Sequence, residues 1–424
     1  MIAWSVAALI GASLSVAPRA TAEPGGCGWT TAGSGGPTAG LVHQAVPTAD
    51  TTHANVLFGE LDAHYWQSYE RIPPGGHIEY RGQFPHARFM SFTNYGGGIR
   101  SVDGIHDAQI VPDAGSSNPY LAGADRRVED RWFTVRFVDE QAPPPGERAP
   151  NTFYRVNEDA SNQSNRVAPV VTLRIYTPDR GTGVTGGVPL PRITLVEADG
   201  TRTELGPCPE GGLPSLGTDE TLSGTGIGEP LPHVEGVGDN PPVWRKFTGY
   251  GSAATGGESA AGEGGFGDNH AQAYIHTRFD QRQGEVLVLR GKAPTFVPTW
   301  DDVPVMGTGQ LRFWTMCTYS ETTNGYDCRR DENTPIDADG YYTYVISTAA
   351  SRPSNAVERC GVAWLPAGPA TVARVILRNL LPAPDFAEAI GNIEHGREVE
   401  MMGEYYPHGT YMSADDFERS GCAR

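Results

Sequence analysis

The sequence predicts an all-β protein built from two sequence-related β-sandwich domains in tandem, jelly-roll-like, with a short C-terminal helix. Three observations predict it. The chain repeats itself, short runs alternate apolar and polar residues, and turns rich in Gly and Pro separate those runs.

The repeat comes first because it fixes the architecture. Tyr65 matches Tyr274, Gly75 matches Gly284, Arg81-Gly82 matches Arg290-Gly291 and Pro85 matches Pro294, all about 209 positions apart. Further on, the run from Phe89 to Tyr95 echoes that from Phe313 to Tyr319, and Leu173 to Pro178 echoes Leu377 to Pro382. The alternation supplies the strands. Phe133, Val135 and Phe137 fall on one face of a strand, as do Val171, Leu173 and Ile175, and as do Leu311, Phe313 and Thr315. Val286 to Leu289 is apolar at every position and predicts a strand covered on both faces. Pro73-Pro74-Gly75-Gly76, Gly96-Gly97-Gly98 and Asp337-Ala338-Asp339-Gly340 punctuate the runs. Asp385 and Glu388 imitate a capping box ahead of Phe386, Ala389, Ile390 and Ile393, which predicts the helix near the end.

Domain limits follow composition. Residues 1–22 read as a leader, 23–205 as the first sandwich, 206–268 as a Gly- and Pro-rich linker with a mobile loop, and 269–424 as the second sandwich with its helix. Ile2 to Val16 is mostly apolar and Ala20-Thr21-Ala22 offers an A-x-A site, so cleavage after Ala22 and a secreted, extracellular protein are expected. No second apolar stretch reaches the roughly 20 residues of a membrane span. With 32 basic against 50 acidic residues the formal net charge is −18, which argues against nucleic acid or an anionic membrane as partner.

Six cysteines in an exported chain favour disulfides. Cys317 and Cys328 flank a hairpin whose tip is Asn324-Gly325, so a bridge between them is expected. The partners of Cys27, Cys208, Cys360 and Cys422 stay open, as does the oligomeric state.

Several of these stretches carry a family resemblance. Val288 to Phe296, Leu311 to Thr318, Asp339 to Ser347, Trp364-Leu365-Pro366, Leu377 to Pro382 and, in the first half, Gly115 to Tyr120 resemble a group of secreted, mainly actinobacterial proteins with tandem β-sandwich domains of unknown function. The resemblance implies the fold and export. Its motifs are strand-and-turn scaffolding, and no catalytic residue comes with it.

Chemistry has weaker signals. No G-x-S-x-G elbow, H-E-x-x-H or Walker loop is present. His64, Tyr65 and Trp66 in the first repeat and His270, Tyr274 and His276 in the second are candidates for ligand stacking and hydroxyl orientation, against a plain structural role for the tyrosines. Asp103, His106, Asp107 and Glu404 are candidate acid–base residues. Asp331, Asp337 and Asp339 around a Gly-containing turn suit Ca²⁺, against a simple Asx-rich turn; no other cofactor is expected. The preferred expectation is a secreted or envelope-associated protein that binds carbohydrate or another extracellular polymer, or a small-molecule ligand. The alternative is a secreted glycoside or ester hydrolase using the Asp, Glu and His candidates.

Overall fold

The computed structural model describes residues 28–31, 58–96, 101–157, 170–206, 240–246, 268–321 and 325–422. The leader, Cys27, Cys208, Asn324 and most of the linker lie outside the described residues. Among the described residues, ten strands belong to the first half: β1 (Thr30–Thr31), β2 (Ala63–Ser68), β3 (His77–Gln83), β4 (Ala87–Tyr95), β5 (Ser101–His106), β6 (Trp132–Gln141), β7 (Thr152–Val156), β8 (Val170–Pro178), β9 (Arg192–Val196) and β10 (Arg202–Glu204). Nine belong to the second: β11 (Arg245–Lys246), β12 (Gln272–Asp280), β13 (Val286–Lys292), β14 (Leu311–Tyr319), β15 (Gly325–Arg330), β16 (Tyr341–Ser347), β17 (Ala363–Pro366), β18 (Val372–Pro382) and β19 (His408–Met412).

The first half folds into sheets of order β1-β2-β8-β4-β5 and β10-β9-β3-β6-β7. The second uses the same orders, β11-β12-β18-β14-β15 and β19-β13-β16-β17, without a counterpart of β10. The repetition reaches fine detail. β6–β7 and β16–β17 are parallel while their neighbours are antiparallel, and a bulge falls before both Tyr95 and Tyr319. Thr177 and Leu381 both adopt φ 44 at matching strand ends. The repeated Arg-Gly pairs also have one explanation. The arginines point outward, while a Cβ on Gly82 would press on Pro191 at 3.0 Å and one on Gly291 would strike the Tyr342 hydroxyl at 2.5 Å.

Each half closes a core between its two sheets. Ile78, Tyr80, Phe92, Phe133, Val135, Phe137, Phe153 and Leu173 form the first; Ile275, Leu287, Leu289, Trp314, Met316, Tyr344, Val375 and Leu377 form the second. The sheets carrying β4 and β14 are covered on their other face too. Every residue of β4 is buried, and so is nearly every residue of β8, β14 and β18. The cover is the opposite half: Ala63, Tyr65, Phe89 and Tyr176 pack against Ala271, Phe313 and Leu380. The described residues therefore form four stacked sheets with three buried layers between them.

The middle layer contains charges, and they are exchanged between halves. Arg88 at the start of β4 reaches Asp331 at 2.6 Å and Glu332 at 2.5 Å. Its counterpart Arg312 reaches back to Asp107 at 3.3 Å. Each aspartate also accepts a backbone N–H from its own inner strand, Met90 to Asp107 at 2.7 Å and Trp314 to Asp331 at 3.0 Å. Tyrosines repeat the pattern: Tyr95 donates to the Asp268 carbonyl and Tyr319 to the Gly59 carbonyl. Two insertions add a clasp. The connection between β13 and β14 lays Val297 and Met306 into the first half's core, and its backbone pairs with residues 123–126.

One expected element is different. Residues 385–393 are not an α-helix but successive turns ending in a single 3₁₀ turn, Ile390–Asn392, with bonds such as Phe386 N–H to Ala383 and Asn392 N–H to Ala389. Phe386, Ala389, Ile390 and Ile393 are all buried, as the helical spacing implied. Four buried side chains on one short segment are satisfied by a tight coil over the sandwich end, and Asn379 captures the Ile390 N–H. Among the described residues the α-helices are instead α1 (Glu398–Met402) and α2 (Ala414–Arg419). α2 packs Phe417 on Val286, which is why the start of β13 is covered on both faces. The Cys317–Cys328 bridge is present, and a second joins Cys360 to Cys422.

Removing Arg88 strands the fully buried Asp331 carboxylate, so Arg88→Met is expected to cost about 3–5 kcal/mol. Because the exchange ties both halves, urea denaturation followed by tryptophan fluorescence is expected to show one transition, shifted to lower urea in the variant. Two separated transitions, or a loss below about 1 kcal/mol, would contradict the exchange as a main stabilising contact.

Candidate functional site

The outer face of the second half presents an open cleft of about 440 Å³ lined by Arg290, Tyr341, Gly403, Glu404 and His408. Three strands position it. Along β13, Leu289 and Gly291 face inward, so Arg290 faces out. Register then places His408 of β19 directly opposite Arg290, and Tyr341 of β16 opposite Lys292. The Arg290 guanidinium lies 4.9 Å from the Tyr341 ring centre, bonds Asp337 at 2.5 Å and reaches Thr343 at 3.2 Å. Glu404 accepts from Lys292 at 2.8 Å and from the Tyr341 hydroxyl at 2.9 Å. The lysine contact, then the tyrosine, hold the Glu404 carboxyl below the ordinary range, so it is ionised. The Arg290 cation of the cleft is thus paired with Asp337 beside it, and the Glu404 carboxylate with the neighbouring Lys292.

Comparison with the first half separates scaffold from site. There Arg81 bonds Asp113 at 3.3 Å and lies 4.7 Å from the Trp132 ring centre. In both halves the aspartate ends a strap that bridges onto the outer sheet, at Pro112↔Phe133 and at Ile336↔Tyr342. The arginine–aspartate–aromatic set is therefore a shared structural pin. What the first half lacks is the rest. Gln83 stands where Lys292 does and Arg192 where His408 does. The connection before β9 spans residues 179–191, whereas the one before β19 spans 383–407 and carries α1, Gly403 and Glu404. The additional chain builds the cleft.

The residues singled out from sequence fall elsewhere, apart from Glu404. Asp103 is buried at the edge of the first half, bonded to Arg148 at 2.6 Å and to the Tyr154 N–H at 2.8 Å. Burial raises its pKa despite Arg148. Asp107 lies in the middle layer, where burial lifts it to about 6 against the pull of Arg312. His106 has a buried Nδ1 with no hydrogen-bond partner among the described residues; burial first, then His270, lowers its pKa to about 3. These groups and Glu404 do not share a pocket.

The stacking candidates are also redistributed. Tyr65 and Tyr274 occupy matching places in the middle layer, where Arg174 and Arg378 lie over their rings at 5.6 Å each. Trp66 belongs to the first core, with half-buried His64 beside it at 6.4 Å. His276 is buried against Arg374, and the His270 ring rests on Gly104. The six do not line one ligand cleft: strands covered on both faces turned their aromatic groups into packing.

Nor do Asp331, Asp337 and Asp339 converge on a cation. Asp331 is committed to Arg88 in the middle layer, while Asp337 accepts from the Asp339 and Tyr341 N–H groups in an Asx turn. Among the described residues, the acid, histidine and cysteine donors close enough to share an ion are Glu60, Cys317 and Cys328, whose sulfurs are already bonded to each other.

No family model and no curated protein matches the chain. Among solved structures it is similar to a protein of unassigned activity from Burkholderia cenocepacia, with 12% identity and a TM-score of 0.47, covering 86% of this chain and 81% of that one. It is also similar to the VPA0106 protein from Vibrio parahaemolyticus, at 13% identity and a TM-score of 0.39, covering 83% and 89%. Both likenesses are too distant to bear on the site.

His106 predicts an acid dependence. Its folded pKa of about 3 lies below the ordinary 6.5, so the unfolded chain binds the proton first as pH falls. Stability is retained above about 6.5 and drops as pH descends toward 3, by up to about 1.4 kcal/mol per pH unit from this group. His106→Gln is expected to flatten that slope between pH 6.5 and 5, measured as unfolding free energy in urea. An unchanged slope would show that the imidazole titrates normally.

Proposed function

We propose that this is a secreted or envelope-associated binding protein that takes a neutral carbohydrate, or a polymer with similar hydroxyl patterning, into the cleft at Arg290, Tyr341, Glu404 and His408. The observation that carries the reading is the internal pairing of the cleft's charges around a tyrosine ring. Arg290 is matched by Asp337 and Lys292 by Glu404, in a chain of net charge −18. Such a surface gives an anion little attraction and a cation no unpaired carboxylate in the cleft. It offers hydroxyl groups several fixed donors and acceptors beside an apolar ring. Export is supported by the leader-like N-terminus and by two disulfides; among the described residues no helix is long and apolar enough to cross a membrane.

The hydrolase alternative has less support. It calls for an acid and a base flanking one bond. Asp103 and Asp107 are committed to Arg148 and Arg312 and to backbone N–H groups, His106 is set back from the cleft beside them, and Glu404 stands alone among the four at the cleft.

A glycan array probed with the protein tests the reading directly. Tyr341→Ala and His408→Ala are each expected to weaken capture of whatever glycans bind by about tenfold or more, with the unfolding midpoint little changed for the exposed His408 and modestly lowered for Tyr341, which gives up its stack on Arg290. Equal capture by the two variants and the parent would sink the assignment of the cleft. Turnover in a panel of chromogenic glycosides and esters would favour the hydrolase.

A further inference from the structure

The duplication identifies a second place where the halves differ in chemistry. β4 and β5 pair Thr93 with Gly104, and at the same register β14 and β15 pair Cys317 with Cys328, joined as a disulfide. The arm entering β2 carries Glu60 where the arm entering β12 carries Asn269; the preceding carbonyls, of Gly59 and Asp268, accept from Tyr319 and Tyr95 in the same way. Three residues without counterparts thus meet at one spot. Glu60 is 2% exposed, Cys317 is fully buried, and the two carboxylate oxygens lie 3.8 and 3.9 Å from the Cys317 sulfur. Cys328 is only half-buried.

We propose that Cys317–Cys328 is a reducible cross-link opened by a dithiol, with Glu60 as the proton donor to Cys317. A reductant thiolate attacks the accessible Cys328 sulfur, forming a mixed disulfide as the Cys317–Cys328 bond breaks. Cys317 leaves with the electron pair and takes the carboxyl proton of Glu60. The second thiol of the reductant then closes its own disulfide and frees Cys328. The resulting Glu60 carboxylate faces Arg378, 3.9 Å away.

The surroundings suit a carboxyl that holds its proton near neutrality. Desolvation lifts Glu60 to about 7, with Arg378 opposing and the charges of Asp62 and Asp331 reinforcing it. Asp62 is itself paired with Arg330 at 2.7 Å and donates its N–H to Glu60. Tyr65 accepts the Glu60 N–H, and Tyr319 lies 3.8 Å from the Cys328 sulfur. A carboxyl acid beside the leaving sulfur speeds departure while protonated and slows it once ionised, because a carboxylate opposes the nascent thiolate.

The experiment is reduction by dithiothreitol, quenched by alkylation and read at each cysteine by mass spectrometry. At pH 6, Glu60→Gln is expected to slow opening of Cys317–Cys328 by about tenfold or more. At pH 8.5 the order is expected to reverse, the variant opening faster. Cys360–Cys422 serves as control and is expected to open at one rate in both proteins. The parent alone gives a second reading: its rate, corrected for the reductant's thiolate fraction, is expected to fall as pH rises through about 7. Equal rates for parent and variant at both pH values would overturn the proposal, as would a parallel change in both disulfides, which would mark Glu60 as merely structural.

Discussion

The structure depends on the exchange of two arginines across its middle layer. Arg88 and Arg312 leave one half and end on an aspartate of the other, and each aspartate simultaneously fixes an inner strand of its own half. Burying a guanidinium and a carboxylate is expensive, and the mutual attraction only roughly repays the lost hydration. The gain is specificity. Two greasy sheet faces slide past one another at little cost, whereas a buried charge has one acceptable partner. The apolar contact of Phe89, Tyr176, Phe313 and Leu380 supplies the area, and the crossed arginines supply the register.

The same arrangement restricts where function can reside. Inner strands are covered on both sides, so the faces left for a ligand are the outer sheets, the rims and the connections. The rims are occupied by the clasp and the arms. Of the two outer sheets, one is bordered by β10 and a short connection, the other by a longer connection that brings Glu404 over Arg290 and Tyr341. Features common to both halves, such as the arginine–aspartate pin, report on folding. Features present once report on selection after duplication, and the cleft and the Glu60–disulfide spot are both of that kind.

Much of the fold was legible in the sequence. Period-two alternation in Phe133 to Phe137 and Val171 to Ile175 marked real strands, and the repeat marked the shared topology. The Cys317–Cys328 bridge followed from a hairpin tip. The site was much less legible. Tyr65 and Tyr274 attracted notice because they are duplicated aromatic residues, yet duplication at an inner strand signals packing. Arg290 was visible as half of an Arg-Gly pair, but its neighbours Tyr341 and His408 are 51 and 118 positions away in the chain. Only strand order brings them together, and strand order is not a local property. The turns at 385–393 misled for another reason: helical spacing reports which side chains are buried, and a coil of consecutive turns buries the same set.

The asymmetry between Glu60 and Asn269 bears on why the middle layer tolerates so many cations. Arg174 and Arg378 occupy matching positions in it, both almost wholly buried, and each lies over a tyrosine ring and donates to a backbone carbonyl. At the first end Arg174 bonds the Asp268 carbonyl, while the Asp268 side chain turns to Ser101. Glu60 at the other end gives Arg378 a group that can change its charge. When it ionises, Arg378 acquires an ion pair and the disulfide acquires an adjacent anion. A duplicated scaffold has thereby placed a titratable carboxyl at the point where a covalent cross-link and the contact between halves coincide.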